Sequence, residues 1–115
     1  MKDNKLIAEF MDWKLQDNPK ERWHNSYRTS NGILHKNTNT DPLLFHSSWD
    51  WMMPVVEKIE MLGYTFEKNY QPIDKDWQCL IVKGLDILHQ EFDESSIKAT
   101  HYVVVDFIKR TKKST

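Results

Sequence analysis

A chain of 115 residues is one domain by length and can bury a single core without staples. Sixteen basic against 17 acidic side chains exclude whole-domain attraction to nucleic acid or to a membrane surface, though not a local patch. A lone cysteine, Cys79, excludes an internal disulfide and a cysteine zinc cluster, and fits a reducing cytoplasm.

The opening MKDNKLIAEFMDW lacks an uninterrupted apolar stretch, so it does not read as a signal peptide. No apolar run approaches the ~20 residues a membrane helix needs, and no membrane partner is expected. Leu6, Ile7, Phe10, Met11 and Trp13 instead recur at helical spacing. They predict a first helix over about Asn4–Lys14, with Asp3 or Asn4 as its cap. The segment Gln16–Pro42 is polar and carries Asn18-Pro19, Asn31-Gly32 and the run NTNTDP. Asn31-Gly32 predicts a short hairpin between Trp23–Thr29 and Ile33–Leu34, and NTNTD an exposed loop.

The stretch FHSSWDWMMPVVEKIE, Phe45–Glu60, predicts the second helix. Ser47 and Asp50 match a capping box, with Ser47 as N-cap and the Asp50 carboxylate reaching back to its amide. On a helical wheel the apolar residues from Trp49 to Leu62 span about 200°, wider than the ~100° stripe of a surface helix. Trp49 and its neighbours are therefore expected in the core, with Trp51 at the edge and partly exposed. Pro54 cannot donate to the Asp50 carbonyl and disfavours helical geometry at Met53. Either the helix kinks there or Pro54 begins its main body.

Gly63 stops this helix, and Tyr64 and Phe66 then alternate with polar residues as a strand. Trp77–Lys83, WQCLIVK, is apolar on both faces and reads as a central strand. Gly84–Asp86 reads as a turn into a weaker strand, Ile87–Phe92. A last helix over about Ser95–Thr111 buries Ile97, Thr100, Val104, Phe107 and Ile108, widened by Val103 and Val105. Lys109, Arg110, Lys112 and Lys113 suit its C-terminus. The expected class is α+β: a small antiparallel sheet of about three strands packed with three helices as an α/β/α-type sandwich. Residues 1–115 are read as one domain, with a polar loop or hairpin at about 16–42.

LIAEFM (Leu6–Met11), FHSSWDWMMPVVEKIE and SIKATHYVVVDFIK (Ser96–Lys109) together resemble a family of small phage and prophage proteins of Bacteroidetes-type genomes. That family shows a leading LIAEFMG, a YHSSWDWLMPVVEKIE block and a closing IEA…AVVEFIKWYN helix. The resemblance covers about a third of the chain. It implies a phage α/β/α sandwich domain and carries over no catalytic residue. Asp12 stands where the family has glycine, Phe45 replaces tyrosine, and the closing tryptophan-tyrosine pair is missing.

The motifs of catalysis are sparse. His24, His35, His46, His89 and His101 show no zinc-ligand spacing. His46 and Asp50, four apart, suit a local hydrogen bond better than a metal. His101 reads as a satisfied core histidine and Cys79 as a buried, inert thiol. Phosphate-loop, dinucleotide and nucleophile-elbow patterns are missing, so neither an enzyme nor a cofactor is expected. KERWHNSYRTSNGILHK, Lys20–Lys36, carries the best interaction signal. It mixes Lys20, Arg22, Arg28 and Lys36 with Trp23 and Tyr27, and Trp51 is added as a partly exposed contact. Such mixtures suit a protein hot spot. The expected function is a small non-catalytic accessory protein that binds a host or phage protein in the cytoplasm, including as an inhibitor of host defence of the anti-CRISPR kind. The alternative is single-stranded nucleic-acid binding through the same segment; an enzyme without a recognisable motif ranks third.

Overall fold

The computed structural model describes residues 2–16, 26–29, 34–35 and 43–113. The fold is α+β, with three helices and a three-stranded antiparallel sheet over residues 65–93 among the described residues. A second, smaller three-stranded sheet lies in the N-terminal part. The chain divides into two compact units between Leu44 and Phe45.

In the first unit, helix α1 spans Lys2–Phe10 and both starts and stops earlier than predicted. Asp3 and Asn4 therefore lie inside it rather than capping it. Asn4 is buried, and its Nδ2 donates to the Leu43 carbonyl at 3.0 Å. The stop is made by Asp12, which adopts φ 63. Its N–H and that of Trp13 reach back to the carbonyls of Glu9 and Ala8, each at 3.0 Å. That pair of bonds closes a helix on a left-handed residue, a conformation glycine takes without strain. Trp13 leaves the helix and its ring stacks on His35 at 4.9 Å.

The chain then forms β1 (Lys14–Gln16), β2 (Ser26–Arg28) and β3 (Leu34–His35). The strands predicted to flank Asn31-Gly32 do pair, β2 antiparallel with β3 in the register Tyr27↔His35 and Arg28↔Leu34; Asn31 and Gly32 themselves lie outside the described residues. The strand β1, read from sequence as the end of a helix and the start of a loop, pairs with β2 on its other side.

The second unit opens with α2, Trp49–Met61, which runs through Pro54 without interruption. Ser48, not Ser47, is the N-cap, and its side chain makes no capping bond. The predicted capping box is therefore wrong. The helix begins one residue late for it, which leaves Asp50 at the second helical position, one short of the reach-back site. Asp50 still sits in the first turn, where a carboxylate suits the helix dipole. The buried residues are Met52, Val55, Val56 and Ile59. They span only about 100°, the width of a one-sided helix. Of the wide apolar arc, Met53 and Leu62 are exposed.

Gly63 follows with φ 100, its N–H bonded to the Glu60 carbonyl at 3.0 Å. A side chain there meets no neighbouring atom but is strained by the positive-φ backbone. Gly63→Ala should cost about 1–2 kcal/mol, read as a lower urea midpoint. An unchanged midpoint would mean the helix end relaxes freely.

The sheet is a meander of β4 (Thr65–Gln71), β5 (Asp76–Lys83) and β6 (Asp86–Asp93), with β5 in the centre as predicted. Cross-strand neighbours share a face. Phe66, Ile81 and His89 stand in one such row, and Lys68, Cys79 and Glu91 in the next. This face meets α3 (Ser96–Lys113), where Cys79 Sγ lies 3.4 Å from Thr100 Oγ1. It also meets the start of α2, because Lys68 Nζ sits 4.7 Å from the Trp49 ring centre. The core between helices and sheet holds Cys79, Ile81, Val103, Val104 and Phe107, all essentially inaccessible. Helix α3 is capped by Ser95, whose Oγ accepts from the Lys98 N–H, while Asp93 accepts from the Ser95 N–H. The opposite face of the sheet carries hydrogen-bonded glutamines, Gln71 to Gln78 and Gln78 to Gln90.

Candidate functional site

The interaction segment predicted at Lys20–Lys36 is only partly described. Lys20, Arg22, Trp23 and Lys36 lie outside the described residues. Tyr27 is only 2% exposed, so it is a core residue and not a partner contact. It lies on β2, and the strand's alternation sends neighbouring side chains to opposite sides. Arg28, next to it, is exposed as predicted. Trp51 is half-buried, as expected, with its ring edge-on to Phe45 at 5.3 Å. Trp49 is half-buried as well, not fully in the core. It flanks Lys68 together with Trp77, whose ring centre is 5.3 Å from Nζ. His101 and Cys79 are buried, as the sequence predicts. Burial pushes the Cys79 thiol up, against smaller lowering effects from Thr100 and Lys68.

Structure brings together a cluster that sequence spacing did not single out. His89 on β6 faces Asp106 on α3, with Nδ1 donating to Oδ2 at 2.6 Å. Arg110, one turn further along α3, donates from Nε to the other carboxylate oxygen at 3.2 Å. The His89 ring is nearly buried and packs edge-on to Phe107 at 5.7 Å. Burial works to raise the Asp106 carboxyl. The hydrogen bonds and charges of His89 and Arg110 outweigh it and hold the group below the usual carboxylate range. The separation of 17 positions between His89 and Asp106 hid this pair, since only the β6–α3 packing closes it.

Beside the cluster lies an open cleft of about 270 Å³. One wall is the run Ile87–Glu91 of β6, and the other is Asp106 and Arg110 of α3. The cleft thus follows the edge of the sheet, because among the described residues β6 has a strand neighbour on one side only. Ile87, Leu88 and Phe92 are exposed along this edge. No group of three or more metal-ligating side chains occurs among the described residues, and no helix among them is long and apolar enough to cross a membrane. Compared with family models, curated proteins and solved structures, the chain matches none.

Proposed function

We propose that this chain is a small non-catalytic protein that acts by binding another protein. The observation that carries this reading is the edge strand β6, which exposes Ile87 and Leu88 in the wall of an open cleft and Phe92 further along the same edge. Exposed apolar side chains grouped on an unpaired strand edge are a liability unless a partner uses them. His89 and Asp106 act here as a clamp between strand and helix, because their hydrogen bond is spent on each other. Under the resemblance to phage proteins, the partner is a host or phage protein. Binding then works sterically, by covering a surface that the partner needs, as an inhibitor of host defence does.

Affinity capture with the tagged chain should recover a stoichiometric protein partner from host lysate. Phe92→Ser should reduce that recovery more than Arg28→Ala does. Recovery of no partner by a folded chain counts against the reading. Nucleic-acid binding through residues 20–36 has less support, because Tyr27, one of its two stacking aromatics, is buried. A flat low-salt titration with oligonucleotides would remove it.

A further inference from the structure

We infer that the cleft between β6 and α3 takes an extended segment of a partner protein, one whose residues alternate between apolar and basic, added as a fourth strand along β6. This rests on the protein-binding reading and names its site and chemistry. Three observations carry it.

The first is geometric. An open strand edge with a helix alongside offers an incoming chain both backbone hydrogen bonds and a channel for every second side chain. Here β6 is eight residues long, and the cleft runs beside Ile87–Glu91.

The second is charge. Between Gly84 and Ile97 the chain carries Asp86, Glu91, Asp93 and Glu94 and no lysine or arginine. Among the described residues the cation in the cleft wall is Arg110, which is engaged with Asp106. An acidic edge attracts a basic segment and repels an acidic one. It also disfavours a second copy of this chain, since pairing β6 with itself sets acidic residues against each other.

The third is the alternation within β6. His89 and Glu91 lie on the helix-covered face, in the rows of Ile81 and Cys79. Ile87 and Phe92 belong to the rows of Val82 and Gln78 on the other face, and they are 56% and 47% exposed. A strand laid on this edge has its side chains in the same two rows. Residues beside Glu91 are best basic, and those beside Ile87 and Phe92 best apolar.

The test uses the full chain, isotope-labelled for NMR, and two capped peptides of about eight residues, one alternating Val–Lys and one Val–Glu. The Val–Lys peptide should shift the amides of Asp86–Asp93 and bind at least about tenfold more tightly than Val–Glu. Glu91→Lys should weaken Val–Lys binding by about tenfold while the spectrum keeps its dispersion. If that variant does not fold, Asp86→Lys, at the exposed start of the strand, carries the same requirement. Equal binding of both peptides, shifts confined to other residues, no binding at millimolar peptide, or unchanged affinity in the folded variant each overturn the inference. Capture from lysate with Glu91→Lys separates the two levels. Undiminished recovery of the partner means binding elsewhere on a genuine binding protein. No partner even for the unmutated chain means that the broader reading fails.

Discussion

Phe107→Ala should destabilise the protein by about 3–5 kcal/mol, the range for removing a buried aromatic ring. A typical domain has only about 5–15 kcal/mol in all, so the variant should be largely unfolded well below the normal urea midpoint. Phe107 is 1% exposed and sits at the joint of three elements. Its ring meets Tyr64 edge-on at 4.9 Å, at the entry to β4, and His89 of β6 at 5.7 Å. Removing it opens a void that neither the sheet nor α3 can close without moving the other. Tyr102, on the same helix and exposed, is the control: Tyr102→Ala should change stability by no more than about 0.5 kcal/mol. Urea unfolding followed by far-UV circular dichroism measures both. Equal midpoints for the two variants would mean that the Phe107 pocket is not the core joint described here.

How much of this was legible beforehand differs by element. The Phe107 stripe of α3, the central strand and the Gly63 stop were readable, because each is a local pattern: a helical period, a continuous apolar run, a glycine where the backbone turns left-handed. The β2–β3 pairing was readable from a local signal too, the Asn31-Gly32 dipeptide between two short predicted strands. Helix starts were read less well. Ser47 and Ser48 offer the same hydroxyl, and only the backbone at Ser48, φ −131 and ψ 122, decides which residue caps. The early end of α1 was missed because Asp12 does the work of a glycine, and aspartate seldom signals a left-handed residue in sequence. The wide apolar arc of α2 gave the largest misreading. Hydrophobicity marks which residues can be buried, but how far a neighbour wraps round the helix depends on the packed partner. Here Met52, Val55, Val56 and Ile59 are covered and Met53 is left out. Tyr27 shows the converse. Its basic neighbours mark it for display, yet a strand sends adjacent residues to opposite faces.

The cluster at α3 could not be read at all, and it leads to the second large effect. Asp106→Asn should cost about 1–2 kcal/mol at neutral pH, chiefly through the bond from the nearly buried His89. Arg110 adds little, since its side chain is 69% exposed and an exposed helical pair one turn apart contributes at most about 0.5 kcal/mol. The sign of the pH dependence follows from Asp106 being held low in the folded state. Its carboxylate binds a proton more readily in the unfolded chain, so its contribution is fully present above the ordinary carboxylate range. The contribution is lost as pH falls through the depressed folded value. The difference in stability between the unmutated chain and Asp106→Asn should therefore be greatest near neutral pH and shrink towards zero in acid. Parallel urea titrations from pH 7 down to pH 2 measure it. A difference that stays constant across that range would mean the carboxylate charge is irrelevant and only its shape matters. In a double-mutant cycle with His89→Ala the two losses should fall short of additive, because each variant alone already breaks the same bond. Full additivity would separate His89 from Asp106 and leave β6 held to α3 by apolar packing alone.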